Sequence, residues 1–574
     1  MASKVSLFLA ELKRRKVYRV AAVYVVVGVG LLGVAEVTLD PLGLEAVRPY
    51  LVILVLLGFP LALVLAWAYE VRPEEPSEMP RPKGPRERSG PGESEDDRKS
   101  IAVLPFANRS GLAEDLHFTD GIHDQIISQL YKVGSLSVRG RTSVEVYRGS
   151  PKNLRTIGQE LSAQYLMEGG VQRAGDGVRI IVQLIDAERD EHLWAEEYDR
   201  SLSTENLFDV QSEIALRVVS ELKAVLTPEE MGRIQTQPTE SLEAYEAFLR
   251  GRRHLTRHSP EGVDAAIREF EEAVALDPGY AQAYSGLSVA RLRRVGFFDV
   301  QRPVEAEKEL DRATAAANKA LELDPALSEA HVILALRALQ WDWEWDSARS
   351  RCLTAMELNP SDALAKAFYA VYLVYRERHF DEAEEMTQRA VELDPLDPGV
   401  LTYRIWISWA VGNHARALQE ARELLEVAPE SPFAHYWIGI GWLWTGQPGA
   451  AIRELETAMV EGGRTTYFLS VLGAAYARTG NVRKARECLN ELEESAERGA
   501  AIGRWIATIY AGLGEGDEAM DWLRRGVDEH DPGVFHAMTD PFFQDYWEDP
   551  RFLEVMNRIG LELEEHPFRT GGRV

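Results

Sequence analysis

The sequence predicts a multidomain protein made of an N-terminal two-helix transmembrane hairpin, a small α/β domain and an all-α superhelix of paired helices. Three observations predict this order. Two uncharged apolar runs lie within the first 70 residues, strand-like and helix-like patterns alternate over residues 99–228, and a proline recurs at a nearly constant spacing after residue 240. The length of 574 residues accommodates several parts of this size.

The first element is the predicted hairpin, residues 1–70. One uncharged run covers residues 20–35 and a second covers residues 49–69. Since about 20 helical residues cross the hydrocarbon core, we expect spans at about 18–39 and 49–69. A cleaved signal peptide is the alternative for the first run, but a second apolar run so close behind it favours a hairpin. The sequence therefore predicts a bilayer as one partner of this chain.

Basic residues near the spans predict the orientation of the hairpin. Six basic residues precede the first uncharged run, five follow the second span, and only Arg48 lies between the spans. Because cytoplasmic flanks are enriched in Lys and Arg, we expect the N-terminus and the long C-terminal body to face the cytoplasm of a bacterial inner membrane. Residues 71–98 contain six prolines and no apolar periodicity, which is typical of a disordered Pro-rich linker.

The second element, residues 99–228, reads as a mixed α/β domain. Apolar strand patterns occur at 101–106, 136–138 with Val144, 165–171 and 179–185, and residues 191–194 look extended. Helix patterns occur at about 122–133, 153–161 and 212–222, and residues 174–177 form a Gly-rich hairpin turn. Strands mixed with helices predict a sheet covered by helices.

Six segments of this domain carry a resemblance to a known family. They are IAVLPF (101–106), FTDG (118–121), YLMEGGV (165–171), RIIVQLIDA (179–187), HLWAEEYD (192–199) and LFDVQSEIA (207–215). In this order they resemble the TolB N-terminal-like (FlgO-like) domain, which in bacterial proteins often precedes tetratricopeptide repeats. The membrane leader resembles that of an anchored branch of the family. Relatives often carry a nucleotidyl cyclase or a winged-helix domain, and we expect neither here.

Four polar residues of the domain are candidates for a ligand-binding or catalytic site: Asp120, His123, Asp124 and His192. Asp120 stands just ahead of the predicted helix, where an N-terminal cap is the simpler interpretation. His123 and Asp124 would then lie on a solvated first turn. Contact with a ligand or partner is the less favoured alternative.

The third element, about 240–535, is a helical repeat array. Prolines at 278, 325, 360, 395 and 429 are spaced by 47, 35, 35 and 34 residues, and a small residue opens each second helix. A 34-residue period of paired helices is the signature of tetratricopeptide repeats, so we expect about eight of them. Residues 536–574 are predicted to form a C-terminal cap and tail. Trp341, Trp343 and Trp345 are interpreted as local packing between repeats two and three.

The array predicts a concave groove lined by the first helix of each pair. The consensus groove positions place aromatic side chains from repeats four, five and six on this surface, and aromatic residues are preferred anchors for partner segments. Packing between the helices is the alternative interpretation of the same residues. The candidate partner-binding residues are Phe368, Tyr372, Tyr375, Trp406, Trp409, Phe433, Tyr436 and Trp444.

Composition narrows the function. With 64 Lys+Arg against 91 Asp+Glu, the net charge is −27, which argues against a nucleic-acid partner. Cys352 and Cys488 are far apart, and neither a phosphate-binding loop nor a catalytic motif occurs, so no metal, cofactor or catalytic residue is assigned. We expect a membrane-tethered protein-interaction scaffold or signalling module without catalysis of its own. The alternatives are a small-ligand- or nucleotide-responsive regulatory subunit of a cyclase or kinase pathway, and a periplasmic envelope-assembly partner.

Overall fold

A computed structural model describes residues 98–112, 115–255, 260–298 and 303–562. All of these residues belong to one unit of the chain, residues 92–574. The predicted spans and most of the predicted linker lie outside the described residues. Within the described residues, no helix combines the length and the apolar run that crossing a membrane requires.

The α/β domain contains a six-stranded mixed sheet. β1 lies in its interior, parallel to both β3 and β4, and β4, β5 and β6 follow as an antiparallel meander. The short β2 continues beside β4. The β4–β5 turn contains Gly175 at φ +57°, which confirms the predicted hairpin. The strands are β1 Lys99–Val103, β2 Ala107–Asn108, β3 Leu136–Val138, β4 Tyr165–Ala174, β5 Gly177–Asp186 and β6 Glu191–Ser201.

Five helices belong to this part of the chain. α1 begins about six residues earlier than the sequence predicts, because Phe118, Ile122 and Ile126 share one buried helical face. Asn153 and Ser203 cap α3 and α4 by accepting hydrogen bonds from the backbone N–H groups of Thr156 and Asn206. The helices are α1 Leu116–Tyr131, α2 Arg141–Glu145, α3 Leu154–Glu160, α4 Thr204–Glu221 and α5 Pro228–Gln235.

Eight antiparallel helix pairs of the described residues follow, and we number them repeats 1–8. Repeats 1–4 are α6 Leu242–Leu255 with α7 Pro260–Leu276, α8 Ala281–Phe298 with α9 Pro303–Leu323, α10 Ser328–Gln340 with α11 Trp345–Leu358, and α12 Ala363–Tyr372 with α13 Phe380–Leu393. Repeats 5–8 are α14 Pro398–Ala410 with α15 His414–Val427, α16 Pro432–Trp444 with α17 Pro448–Gly462, α18 Thr466–Arg478 with α19 Val482–Glu497, and α20 Gly503–Leu513 with α21 Gly516–Asp528.

The helices of the array approach closely at the small residues that the sequence singles out. Ala266, Ala348 and Ala485 are buried near the start of their second helices. A Cβ at Gly473 would lie 2.7 Å from the Ile509 side chain, which is closer than packing allows. These contacts are the physical basis of the 34-residue period, because only small residues let the helices of neighbouring pairs come together.

Two features depart from a regular array. Repeat 2 contains the extra residues of the 47-residue spacing in its 18- and 21-residue helices. In repeat 4, α12 continues as a single π-helical turn, Leu373–Glu377, which ends at Arg378 in the left-handed conformation (φ +58°). A π-turn holds one residue more than an α-turn, and Tyr375 within it is buried against Trp406 and Phe535.

The chain after repeat 8 folds back along the array. It contains two 3₁₀ turns, Val534–Met538 and Pro541–Tyr546, and the helix α22 Pro550–Arg558. Phe535, Met538, Phe543 and Phe552 are fully buried in a core that also contains residues of repeats 3, 4, 5 and 8. We call residues 531–561 the C-terminal segment. It is therefore more than an end cap, because it contacts repeats far from the end of the array.

Candidate partner-binding surface

Six of the eight predicted groove residues have buried side chains. They are Phe368, Tyr372, Tyr375, Trp406, Trp409 and Tyr436. Trp444 is half-buried and stacks on His414 with ring centroids 4.2 Å apart. Phe433 keeps 42% of its surface exposed. The buried six fit the alternative interpretation, packing between helices, and they are not accessible to a partner in this structure. Partner binding at this face stays a prediction.

The buried aromatic residues occupy the core for identifiable reasons. Phe368 packs edge-on against Tyr403, and the Tyr372 hydroxyl donates to Glu377 Oε1 (2.5 Å). Trp409 lies against Trp444 with ring centroids 5.5 Å apart. Register along a helix is uncertain by about one residue from sequence alone, and one residue turns a side chain by about 100° from the groove towards the neighbouring helix.

Tyr375 and Trp406 are covered by the chain itself. The Trp406 indole N–H donates to the Tyr375 hydroxyl (3.1 Å), and that hydroxyl also lies 2.9 Å from Thr539 Oγ1 of the C-terminal segment. His536 stacks on Trp406 at 4.5 Å, and Phe535 packs edge-on to Tyr375 at 4.9 Å. The inner face that the sequence offers to a partner is thus occupied by residues of this chain.

Polar contacts also anchor the C-terminal segment. Arg504 of α20 pairs with Asp540 (2.7 Å), with both side chains buried. Arg478 donates to the Pro541 carbonyl (3.0 Å), and the Trp345 indole N–H donates to the Ile559 carbonyl (2.7 Å). Each fully buried Phe or Met side chain of the segment contributes roughly 1.5–3 kcal/mol. With four of them, release of the segment to make way for a partner is strongly disfavoured.

The tryptophan-rich turn of repeat 3 also belongs to this core. Trp343 stacks on His530 with nearly parallel rings 5.5 Å apart, and Trp345 packs edge-on to Phe535. Trp341 packs at the edge of the same cluster. For Trp343 and Trp345 the interpretation of local packing between repeats two and three is wrong, because their indoles pack on His530 and Phe535, which the linear sequence places about 190 residues away. For Trp341 that interpretation stays a prediction.

An exposed aromatic pair remains on repeats 6 and 7. Phe433, at the second position of α16, lies 6.3 Å from the ring of Tyr467, at the second position of α18. Tyr467 is 40% exposed and packs edge-on to the buried Trp505 at 4.7 Å. We call Phe433 and Tyr467 the rim pair. It is the accessible end of an aromatic row that continues inward through Trp505 to His536.

The α/β domain docks on the turns between repeats. The Gly140 N–H donates to the Leu393 carbonyl (2.7 Å), and the Ser143 N–H donates to Asp394 Oδ1 (3.0 Å), to which the Ser143 hydroxyl also donates. The Leu396 N–H donates to the Ser143 hydroxyl (2.8 Å). At the preceding turn, the Val138 N–H donates to the Ser361 hydroxyl (3.0 Å). The Leu-Asp-Pro turn thus serves as a docking point as well as a helix stop.

This docking buries the Asp394 carboxyl group and changes its pKa. Burial raises the pKa of its carboxyl well above the usual range, and the nearby Asp397 acts in the same direction. No Cβ fits at Gly140, because the Asp394 carboxyl lies against it. Glycine is therefore required here by the close approach of the two parts.

Three of the four polar candidates of the α/β domain, Asp120, His123 and Asp124, are buried on α1. Asp120 pairs with Arg148 (2.8 Å), and Asp124 pairs with Arg141 (2.5 Å). Both predictions for these residues are wrong: Asp120 lies inside the helix and does not cap it, and the first turns are not solvated. The reason is tertiary, since α6 of the array packs on this face of α1, with Leu249 against Gly121.

The contacts of these three residues join α1 to other parts of the α/β domain. His123 Nε2 donates to the Val103 carbonyl at the end of β1 (2.9 Å). Burial raises the pKa of Asp120 despite Arg148. Burial also acts to raise the pKa of Asp124, but Arg141 and His123 outweigh it and the pKa is lowered. His192 is exposed on β6, away from them.

Two observations concern metal binding and cysteine chemistry in the part of the chain that the structure describes. No group of three or more His, Cys, Asp or Glu residues there has the geometry to hold a metal ion. Burial raises the pKa of Cys352 to about 12 and that of Cys488 to about 11, so neither thiol forms a nucleophilic thiolate at neutral pH.

Family models match two parts of the chain. Residues 97–217 match the second domain of HilA/YgeH-like transcriptional regulators. Residues 370–435 and 471–533 match the tetratricopeptide repeat, which confirms the nature of the C-terminal array. The model that matches the α/β domain is not the TolB N-terminal-like one, so the TolB-like (FlgO-like) resemblance stays a prediction.

One relative and two solved structures illustrate these similarities. "Putative adenylate cyclase 3" of Rhizobium meliloti (strain 1021) is 34% identical over 278 residues, 48% of this chain and 45% of the relative, so the chain spans less than half of that relative's length. The type IV pilus biogenesis factor PilW is 18% identical (TM-score 0.29) over 36% of this chain and 93% of PilW. YrrB, a tetratricopeptide repeat protein with an unusual peptide-binding site, is 20% identical (TM-score 0.23) over 35% of this chain and 95% of YrrB.

Proposed function

We propose that this chain is a membrane-tethered scaffold that binds a protein partner through its tetratricopeptide array. The observation that carries the proposal is the array itself, eight helix pairs of the described residues with an accessible aromatic pair on repeats 6 and 7. Helical repeats expose a large, rigid surface relative to their core, and such surfaces serve recognition. The docked α/β domain contacts repeat 1 and the turns after repeats 3 and 4, and the rim pair on repeats 6 and 7 stays partly exposed.

Site-specific photo-cross-linking in cells tests the scaffold proposal. A photoreactive residue is placed in the full-length chain at Tyr467 on the inner rim, or at the exposed positions Val460 and Val482 on second helices. We expect a discrete cross-linked protein, identified by mass spectrometry, from at least one position. The absence of any cross-linked protein from all three positions, with normal expression, would refute the scaffold proposal.

Reporter fusions test the proposed membrane orientation. Fusing alkaline phosphatase or a fluorescent protein to the C-terminus distinguishes the two sides of the membrane, because the phosphatase is active only in the periplasm. We expect fluorescence without phosphatase activity, as the basic flanks of the spans predict. Phosphatase activity would favour the envelope-assembly alternative, and recovery of the chain in the soluble fraction would contradict the tether.

A second candidate function is a regulatory role in a cyclase pathway, which the similarity to a protein named as an adenylate cyclase favours. The purified full-length chain is assayed for cyclic AMP formation from ATP, and for nucleotide binding by a shift of its melting temperature. Cyclic AMP formation would overturn the proposal of a chain without catalysis. A nucleotide-induced shift without turnover would support a regulatory subunit.

A further inference from the structure

Part of the aromatic surface on the inner face of the array is covered in the described residues. The C-terminal segment covers Tyr375 and Trp406, and the α/β domain covers the turns of repeats 3–5. The rim pair is the part of the aromatic row that stays exposed. Phe433 and Tyr467 are therefore the residues of this aromatic row that a partner can contact.

Carboxylates flank the start of α16, which contains Phe433, and the exposed Arg464 that follows α17 is paired with Glu491. Glu430 is exposed three residues before it, and the end of α17 packs beside the start of α16, with Gly462 against Pro432. Glu461 and Glu454 flank His435 at 3.8 and 2.8 Å, and each carboxylate side chain keeps about a third of its surface exposed. Carboxylates thus lie on both sides of the start of α16, with Glu430 before Phe433 in the chain and Glu461 one residue from the Gly462–Pro432 contact.

The same pairing of cation and ring recurs within the neighbouring repeats. Arg504 lies over the Trp505 ring (3.9 Å), Arg478 over Phe542 (4.5 Å) and Lys484 over Tyr476 (4.5 Å). Among the described residues, no cation occupies the Phe433 ring in this way. Several rings of these repeats are thus covered by cations of the chain itself, whereas the Phe433 ring packs edge-on against Tyr467 and Phe468 and keeps 42% of its surface exposed.

We infer that the rim pair, together with the carboxylates of Glu430 and Glu461 at the start of α16 and the end of α17, binds a positively charged, arginine-containing segment of the protein partner. The inference rests on the proposed scaffold function and names the chemistry of its partner. Charge complementarity carries the choice, because a chain with a net charge of −27 attracts basic segments and repels a second copy of itself. Arginine suits the site, since its planar guanidinium stacks on a ring while it pairs with a carboxylate.

Fluorescence anisotropy with defined peptides tests the inference on the full-length chain in detergent. The probe is a labelled 12-residue peptide of alternating arginine and alanine, and its comparison is the same peptide with citrulline, a neutral analogue of nearly equal shape. The rim variants are Phe433→Leu, which keeps apolar volume but removes the ring, and Glu461→Gln. The matched controls are Glu423→Gln, an exposed acid on α15, and Val482→Ala, an exposed apolar residue on α19.

We expect the arginine peptide to bind the wild type and the citrulline peptide not to bind. Phe433→Leu should weaken binding about 2- to 30-fold, as expected for a lost cation–ring contact. Equal binding of both peptides, an unchanged affinity of Phe433→Leu, or an equal loss in the two controls would overturn the inference. Melting temperatures within a few degrees of the wild type exclude unfolding as the cause.

The cross-linking experiment separates this inference from the scaffold proposal. A partner captured at Val460 or Val482 but not at Tyr467 supports a scaffold and contradicts the rim site. A partner that is captured at Tyr467, and lost from that position in the Phe433→Leu chain but not in the Glu423→Gln chain, supports both. The two proposals therefore fail on different results.

Discussion

Replacing Phe535 by Ala tests whether the C-terminal segment truly closes the inner face of the array. Phe535 is fully buried, and its ring packs against Tyr375 (4.9 Å), Trp345 (5.9 Å) and Trp406 (6.1 Å). Truncating a Phe of this kind removes its transfer free energy and leaves a cavity, a loss of about 3–5 kcal/mol. Phe433→Ala is the matched control, because Phe433 is partly exposed and its truncation should cost about 1 kcal/mol or less.

Hydrogen exchange measured by mass spectrometry is the suitable assay, because a repeat array opens in parts and a single unfolding transition is not assured. In Phe535→Ala we expect exchange to accelerate in peptides covering the C-terminal segment and the π-turn at residues 373–377. The loss of 3–5 kcal/mol corresponds to roughly 150- to 5,000-fold faster exchange where local opening governs it. Equal protection in Phe535→Ala and Phe433→Ala would refute the closed inner face.

Three further substitutions test other contacts of the fold. Ser143→Ala should weaken the docking of the α/β domain by about 1–3 kcal/mol, because it leaves polar groups at the Asp394 turn without partners, and exchange should rise on both sides of that contact. Gly121→Ala should lower the free energy of unfolding by about 1–3 kcal/mol in denaturant titrations, whereas Gly232→Ala, where a Cβ meets open space, should raise it by about 0.5–1 kcal/mol. His536→Phe should remove an acid sensitivity of up to about 2 kcal/mol between pH 6.5 and pH 5 in thermal melts.

The sign of the pH effect follows from the pKa of His536. Its burial among aromatic rings and the nearby Arg504 hold that pKa well below 6.5. The folded chain therefore keeps the imidazole neutral, while the unfolded chain takes up a proton as the pH falls below about 6.5. Stability is fully present above that pH and is lost below it. A wild type and a His536→Phe chain that lose equal stability between pH 6.5 and pH 5 would contradict this account.

The contradictory outcomes for the other two substitutions are equally direct. Unchanged exchange at residues 138–145 and 393–397 in the Ser143→Ala chain would mean that the docking does not depend on this hydroxyl. If Gly121→Ala stabilised the chain as much as Gly232→Ala, helix propensity alone would govern both sites and α6 would not press on α1 as the structure shows.

Much of the fold follows from local pattern. The recurring prolines and the buried alanines Ala266, Ala348 and Ala485 specify paired helices, because small residues at a fixed period dictate which helix faces approach. The hairpin at Gly175 was equally predictable from sequence, because a glycine in a two-residue turn between two alternating strand patterns is typical of a β-hairpin. Both are short-range features that a linear sequence carries in full.

The candidate site was less predictable. Tyr375 and Trp406 occupy groove positions of a regular repeat. No pattern in the sequence near them predicts that Thr539 and His536 cover them. The sequence shows which acids stand near Phe433 in the chain. The exposure of the Phe433 ring depends on which neighbouring residues pack against it, and only the structure shows this. Asp120 illustrates the same point, because its burial comes from packing of the array on α1 and not from the helix that contains it.

By itself, the sequence determined the α/β domain, the repeat array and their order, because periodicity, turns and small residues act over a few residues or over one fixed repeat. Only the tertiary structure decided which surfaces stay open. The return of the C-terminal segment to repeats 3–5, and the docking of Gly140 and Ser143 on the Asp394 turn, join residues separated by 130 to 250 positions. Such contacts depend on the summed curvature of several repeats, a quantity that no local pattern encodes.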